Sequence, residues 1–417
     1  MSEVNLRKAI LVSIAESTAA VPECERSIDE LERLLETAGG ACYAKVVQVK
    51  EKYDPRTCIG SGKVKEIKEL CATGEVDLVI FDFELTPTQI RNLEDDIAAE
   101  VDVIDRSMLI LDIFAQNATT GEGKLQVQLA QLRYSAPRLV GKGTELSRQG
   151  GGIGSRGPGE SKLETDRRHV KEKIVALERR LSELEHNRMV MRAQRDKSGL
   201  PKVALVGYTN AGKSTLLNRL TDAGVLAENK LFATLDPTTR KLTLPDGESV
   251  LLTDTVGFIR KLPHHLVKAF KSTLDEVRYA DILVVVADAS DPEVDDQLVV
   301  TREVISDLGG ADKPIIYAFN KCDACDTVAD RAGDDSVFIS AKDGRGVGEL
   351  LEVIENVVKR TKRPCKLLVP YSEQAIVSAL YNSYTVNSVD YEDRGILVDV
   401  VLDARGMGQY AKYCLDN

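Results

Sequence analysis

Apolar residues in this chain follow two alternating patterns. Short β-branched runs, such as AILVSIA at 9–15 and VALV at 203–206, alternate with stretches in which apolar residues recur every three or four positions. Over 1–118 the pattern predicts strands at 8–15, 41–50 and 76–83 and helices at 25–38, 63–71 and 87–100, which makes a small α/β unit. Thr86, Pro87 and Gln89 supply the last helix with an N-cap, a first-turn proline and a capping-box partner. The glycine-rich GSGK at 60–63 lacks the spacing of a phosphate loop and reads as a turn entering a helix.

From 123 to 137 a helix carries Leu125, Leu129 and Leu132, and the eight glycines between 141 and 159 then rule out regular structure. In the helix that follows, 161 to about 197, Leu163, Val170, Ile174, Leu177, Leu181, Leu184 and Met191 fall on a near-heptad seam broken by Arg188. The two helices read as an antiparallel hairpin with a glycine-rich tip, its second arm roughly 50 Å long at 1.5 Å per residue. At 417 residues the chain exceeds one ordinary domain. The expected architecture is α/β and multidomain: an α/β domain at 1–118, the hairpin at 119–199, a nucleotide domain at 200–361, and an α+β tail at 362–417. Strands at 367–369, 385–391 and 395–402 and a helix at 372–380 make the tail βαββ.

A net charge of −11 argues against a uniformly basic nucleic-acid coat, yet 133–197 holds sixteen Lys and Arg against nine Asp and Glu, a local +7. A solvated coiled-coil surface accounts for the helical part equally well. The tip is different, because Arg138, Lys142, Arg148 and Arg156 are interleaved with glycines that let backbone approach closely, which suits phosphate-rich RNA. The eight cysteines are scattered through apolar runs, as reduced cytosolic thiols are. Cys322 and Cys325 form a C-x-x-C without a second pair or a nearby histidine, so zinc is not expected. No window approaches the ~18 consecutive apolar residues of a membrane span. Asp416 spoils the C-terminal prenylation format. A cytoplasmic monomer without a stable membrane anchor, at most transiently membrane-associated, is expected.

The chemistry is concentrated at 207–214, where GYTNAGKS follows the apolar run 203–206 and precedes a helical pattern with Leu216, Leu217 and Leu220. G-x-x-x-x-G-K-S lets successive backbone N–H groups face a β-phosphate at a helix N-terminus. Lys213 then reaches the β and γ oxygens and the Ser214 hydroxyl ligates Mg²⁺. A strand at 250–253 runs into Asp254-Thr255-Val256-Gly257, in which Asp254 holds Mg²⁺ through water and the Gly257 N–H faces the γ-phosphate. Thr234, within FATLD at 232–236, is the candidate switch threonine. A strand at 314–319 ends in Asn320-Lys321-Cys322-Asp323, and Asp323 can accept from both guanine N1–H and the 2-amino group, a donor pair that adenine lacks. Charged hydrogen bonds of this kind are worth ~1.5–3 kcal/mol each, which selects guanine. Ser340-Ala341-Lys342 offers a backbone N–H to the base carbonyl. Phe258 stands where many GTPases have a glutamine to orient water, so intrinsic turnover is expected to be slow.

With RQGGGIGSRGPGE at 148–160, GYTNAGKS, FATLDPTTR at 232–240 and DTVGF at 254–258, the chain resembles the HflX-type GTPases, translation-factor-class proteins that bind the large ribosomal subunit and split stalled or idle ribosomes. The resemblance spans all four segments. It implies contacts to GTP or GDP by Gly207, Tyr208, Thr209, Asn210, Ala211, Gly212, Lys213 and Ser214, and by Phe232, Ala233, Thr234, Leu235 and Asp236. It extends them to Asp254, Thr255, Val256 and Gly257, to Asn320, Lys321, Cys322 and Asp323, and to Ser340, Ala341 and Lys342. Mg²⁺ would sit on Ser214 and Thr234, with Lys213, Thr234 and Gly257 serving hydrolysis and ribosomal RNA meeting Arg148 and Arg156. Asn210 stands where some similar GTPases coordinate K⁺. Ser155 and Ser161 replace the more usual Thr, and the N-terminal region has no phosphate loop for the ATPase activity of some relatives. A ribosome-assembly or RNA-processing GTPase and a regulatory G protein switching a protein–protein interface are the competing readings.

Overall fold

The computed structural model describes residues 7–98, 100–137, 158–196, 199–221, 231–232, 235–261, 271–325 and 335–415, with positions 224, 263 and 333. The chain divides into two compact units. The first comprises Met1–Leu184, Glu228–Asp236 and Val256–Leu274, and the second Glu185–Ala227, Pro237–Thr255 and Asp275–Asn417.

The first unit opens with β1 (Arg7–Ala15), α1 (Val21–Thr37), β2 (Gly40–Val49), α2 (Ser61–Gly74), β3 (Leu78–Phe81), α3 (Pro87–Ile97), β4 (Asp102–Asp105) and α4 (Arg106–Asn117). The four strands pair in parallel in the order β2-β1-β3-β4. Parallel strands are covered on both faces, and β1 is accordingly buried from Ala9 to Ala15 and β3 throughout. GSGK is a helix entry, with Gly60 as the N-cap of α2. The capping box is present too: Thr86 Oγ1 accepts from Gln89 N–H, and Thr86 N–H donates to Gln89 Oε1 at 2.9 Å. β4 and α4 were not expected. β4 has only four residues between acidic ends, too few to show alternation, and α4 buries Leu109, Ile110, Leu111, Ile113 and Phe114 in succession, which erases helical periodicity.

Beyond α4 come α5 (Gly121–Ser135) and α6 (Pro158–Asp196). α6 starts inside the stretch expected to be irregular, with Pro158 at its first position, where a missing N–H costs nothing. Along the part of α6 whose side chains are described, Val170, Ile174, Leu177, Leu181 and Leu184 are half-buried and Val175 is 63% exposed, so the seam is real there. Arg133 of α5 and Glu178 of α6 meet at 2.7 Å. Both are about half exposed, and a pair of that kind contributes no more than ~1 kcal/mol. The tip, with Arg148 and Arg156, lies outside the described residues.

A buried ionic cluster is the strongest polar feature of this unit. Arg106 donates to Asp82 Oδ1 at 2.7 Å and to Glu30 Oε1 at 2.6 Å, and the three residues are at most 5% exposed. Ser27 Oγ donates to Asp82 Oδ2 at 2.6 Å, and Lys261 reaches the same oxygen at 2.8 Å. Arg106 also donates to the Arg260 carbonyl at 3.1 Å. The segment after DTVGF is therefore fastened to α1, α4 and the end of β3.

The second unit contains β5 (Lys202–Val206), α7 (Lys213–Thr221), β6 (Thr238–Thr243) and β7 (Ser249–Asp254). After α8 (Lys271–Tyr279) it continues with β8 (Ile282–Asp288), α9 (Val294–Asp307), β9 (Ile315–Asn320), β10 (Ser336–Phe338) and α10 (Val347–Thr361). Its six strands run in the order β10-β9-β8-β5-β7-β6, parallel except for the β6–β7 hairpin. β7 and β8 flank β5 on opposite sides, so the strand order reverses there, and a crevice at the carboxyl end of β5 is where such sheets bind ligands. The chain ends in β11 (Arg363–Val369), α11 (Ala375–Ser383), β12 (Thr385–Glu392), β13 (Gly395–Leu402) and α12 (Ala404–Tyr410). These strands form an antiparallel sheet, β11-β13-β12, over a core of Cys365, Leu367, Leu380, Val398 and Val400. Asp403, accepting from Gly406 N–H at 2.6 Å, caps the unforeseen α12.

Arg106→Ala leaves two buried carboxylates without their shared cation and is expected to cost about 3–5 kcal/mol. Amide exchange of β1 and β3 under mild urea measures it. Unchanged protection would show that the cluster does not hold the unit together.

Candidate functional site

The loop that leaves β5 has glycines where nothing larger fits. Gly207 (φ 138°) and Gly212 (φ 95°) occupy backbone conformations that side chains avoid. A Cβ would strike the Val286 carbonyl oxygen at the first and the Asn320 amide nitrogen at the second. Asn210 is left-handed as well (φ 60°), which asparagine tolerates better than most residues. Tyr208, Thr209 and Ala211 are buried between these turns.

Lys213, at the start of α7, is 6% exposed, and its Nζ donates to the carbonyls of Gly207 (3.1 Å) and Tyr208 (2.7 Å). Burial pushes its pKa down to about 8, with Asp254 pulling the other way. An ammonium desolvated to that degree, at a helix N-terminus, is an anion receptor. Ser214 Oγ donates to Asp254 Oδ2 at 2.6 Å, and Asp254 has no exposed surface. A hydroxyl and a carboxylate in contact are hard oxygen donors of the kind Mg²⁺ takes, so these residues fit the ion. Thr255 spends its hydroxyl on the Leu205 carbonyl at 2.7 Å, tying β7 to β5, and is left with backbone groups for a ligand.

The segments expected to read the base converge on the same loop. Asn320, 3% exposed, donates from Nδ2 to the Ala211 carbonyl (2.8 Å) and accepts at Oδ1 from Ala341 N–H (2.9 Å), so it binds the phosphate loop to the 340–342 turn. Lys321 is left-handed (φ 64°) and pairs with Asp288 at 2.6 Å, Cys322 is buried with its thiol pushed up by desolvation, and Asp323 is exposed. Ser340 N–H donates to the Arg345 carbonyl at 2.9 Å, so with Ala341 N–H also engaged, Lys342 carries the remaining N–H of the turn. One participant had no motif to announce it. Arg219 of α7 donates from Nε to the Ala341 carbonyl at 3.2 Å and from Nη2 to the Lys342 carbonyl, fixing the turn from behind.

Other expected site residues belong to the first unit. Phe232 packs edge-on against Phe114, ring centroids 4.7 Å apart, and its carbonyl accepts from Asn117 Nδ2 at 2.8 Å. Leu235 is buried. Asp236 accepts from Thr119 and Thr120, with N–H bonds of 3.2 and 2.9 Å and hydroxyl bonds of 3.0 and 2.6 Å. The Phe232 and Asp236 side chains are thus spent within the protein, and a nucleotide contact there falls to the backbone. Val256 is buried, and Phe258 beyond Gly257 has no exposed surface. Ala233 and Thr234 lie outside the described residues.

A parallel sheet with this loop at its reversal, a lysine and serine opening the next helix, and an aspartate ending the neighbouring strand define a P-loop GTPase fold, here with an N-terminal α/β domain before it. Residues 202–321 match the model of the 50S ribosome-binding GTPase family, 25–115 that of the GTP-binding GTPase N-terminal region, and 117–195 that of the GTP-binding GTPase middle region. GTPase HflX of Lacrimispora saccharolytica is 50% identical over 396 residues, 93% of this chain and 92% of that protein. GTPase HflX of Escherichia coli is 42% identical, covering 88% of this chain and 87% of that one. The chain belongs to the HflX GTPase family, and it hydrolyses GTP. Among solved structures, a GTP-binding protein of Sulfolobus solfataricus in complex with GDP is 23% identical with a TM-score of 0.44, covering 85% of this chain and 99% of that one.

Arg219→Ala frees the 340–342 turn and is expected to weaken GDP binding about tenfold, the ~1.4 kcal/mol of one charge-assisted hydrogen bond. Arg219→Lys, which can still donate to one carbonyl, recovers part of it. Titration with a fluorescent guanine nucleotide reads both, and wild-type affinity in the alanine variant would remove Arg219 from the site.

Proposed function

We propose that this chain is a GTP-driven factor that binds the large ribosomal subunit and separates stalled or idle ribosomes into subunits, with hydrolysis stimulated by the ribosome. What carries the reading is the stretch RQGGGIGSRGPGE at 148–160, placed between α5 and the described seam of α6 in a chain that matches the 50S ribosome-binding GTPase model. A spacer between two helices needs neither the eight glycines of 141–159 nor interleaved arginines. Both suit close approach to a phosphate backbone, with Arg148 and Arg156 as the contacts. In this reading 119–199 is a hairpin arm, 362–417 a separate small domain, and the protein a cytoplasmic monomer. Among the described residues no helix is long and apolar enough to cross a membrane.

In the nucleotide site, Gly207, Asn210 and Gly212 shape the backbone around the β-phosphate, and Lys213 turns from its two carbonyls to the phosphate oxygens. Ser214, Asp254 through water, and Thr234 would hold Mg²⁺, which would supply positive charge to offset that of the phosphate oxygens. Asp323 reads the guanine donors while Asn320 and Arg219 hold the loops that frame the base. Phe258 cannot orient water, so acceleration has to come from the docked ribosome, and Asn210 would hold K⁺, which would supply charge to offset that developing in the reaction.

Asp323→Asn exchanges an acceptor for a donor and is expected to weaken GTP while favouring xanthine nucleotide, whose 2-oxo group accepts. Competition binding tests it, and unchanged GTP preference removes Asp323 from base reading.

The function itself is tested by incubating purified intact ribosomes with the protein and GTP, or a non-hydrolysable analogue, in KCl and in NaCl. Subunits are resolved by sedimentation and phosphate release is followed. Dissociation, a stimulated GTPase and a higher rate in KCl are expected. Replacing 149–159 by a short neutral turn should leave GTP binding intact, abolish splitting, and flatten the salt dependence of subunit binding by roughly one unit of slope per lost phosphate contact. Ribosomes that stay intact while immature particles stimulate hydrolysis would point to an assembly factor instead.

A further inference from the structure

The C-terminal sheet brings two cysteines from opposite ends of its chain segment into contact. Cys365 lies on β11, 5% exposed, and Cys414 lies just after α12, half-buried. Their sulfurs are 3.1 Å apart. Backbone pairing holds them there: Leu367 and Cys414 form an antiparallel bridge, and Leu415 N–H donates to the Lys366 carbonyl at 2.9 Å. Cys414 Sγ also lies 3.7 Å from the Tyr410 carbonyl. A disulfide requires sulfurs about 2.05 Å apart, so closure asks for about 1 Å of side-chain movement.

We propose that Cys365 and Cys414 are a modification site at which hydroperoxides form a reversible disulfide. The Cys414 thiolate, the more accessible, attacks the peroxide: an S–O bond forms, the O–O bond breaks, and the alcohol or water leaves. The Cys365 thiolate then attacks that sulfur, the S–S bond forms, the S–O bond breaks, and water leaves. Two thiols lose two protons and two electrons, and the peroxide accepts both. Thiol exchange with small reductants reverses the step, which suits a transient bond in a reducing compartment. Selectivity follows from proximity, since the Cys365 and Cys414 sulfurs already touch.

The bond would pin the segment at 411–415 to β11. That segment supplies Tyr410 and Tyr413 to a cavity of about 330 Å³ whose other wall is Ile376 and Ala379 of α11, so oxidation fixes the cavity's shape. The mechanism of GTP hydrolysis uses neither cysteine.

The test uses the reduced full-length protein exposed to hydrogen peroxide, quenched with N-ethylmaleimide and digested with trypsin under non-reducing conditions. The peptides carrying Cys365 and Cys414 are expected as one linked species, and titratable thiols are expected to drop by two from the eight of the chain. Amide exchange over 411–415 should slow severalfold and recover in dithiothreitol. Cys365→Ser and Cys414→Ser should each abolish the linked species and the slowing. The proposal fails if Cys414 is oxidised to sulfinic acid without linkage, if linkage appears only after denaturation, or if Cys365 and Cys414 pair indiscriminately with the other cysteines.

Discussion

The Asp82 carboxylate has no surface in contact with water, and several kcal/mol of desolvation must be met by its neighbours. Arg106 meets one oxygen, and Ser27 and Lys261 meet the other. Each partner comes from a different part of the chain: α4, α1 and the segment after DTVGF. None of these can shift without leaving a buried charge exposed to an apolar surrounding, so their positions are set together. Glu30 completes the balance by pairing with the far side of the Arg106 guanidinium. The surface pairs of the same unit, such as Arg133–Glu178, are too well solvated to impose a comparable constraint.

The first unit holds the candidate switch segment at 232–236 in the same manner. Phe232 is wedged edge-on against Phe114 of α4, and the Asp236 carboxylate accepts four hydrogen bonds from Thr119 and Thr120, the two residues before α5. A carboxylate at a helix N-terminus is favoured by the helix dipole as well as by the bonds. Thr120 is itself the N-cap of α5, donating its hydroxyl to Asp236 and accepting from Gly123 N–H at 2.9 Å. The residues expected to follow the nucleotide are thus packed with the elements that lead toward the hairpin stretch.

In the second unit rigidity comes from side chains bonded to the loops themselves. Asn320 binds the Ala211 carbonyl and the Ala341 N–H, Thr255 binds the Leu205 carbonyl, and Arg219 binds two carbonyls of the base-side turn. The loops that follow β5, β7, β9 and β10 are thereby joined to one another. Among the expected base-side residues Asp323 and Lys342 are exposed, and of the two Asp323 carries the carboxylate suited to a ring edge, while Lys213, buried with two carbonyls, is placed to receive an anion.

The phosphate loop, the Asp254 strand end and the Asn320–Asp323 motif were legible in the sequence because their chemistry is written in contiguous backbone. A tight turn needs glycine, and a helix start needs the lysine and serine at fixed offsets, wherever the rest of the chain goes. The seam of α6 and the capping box at Thr86 were legible for the same reason, since period and cap are local. Contacts between residues far apart in the chain were not. Nothing near Asp82 marks it as the partner of Arg106 and Lys261, nothing near Asp236 predicts that Thr119 and Thr120 will occupy it, and β4 and α4 lack the length or periodicity that pattern reading requires. Arg219 behind the guanine turn and Cys365 beside Cys414 belong to the same class. The sequence by itself determined which short segments carry the guanine-nucleotide motifs; only the tertiary structure decided which of their side chains are buried and paired, because burial and pairing are set by neighbours that meet only when the sheets are assembled.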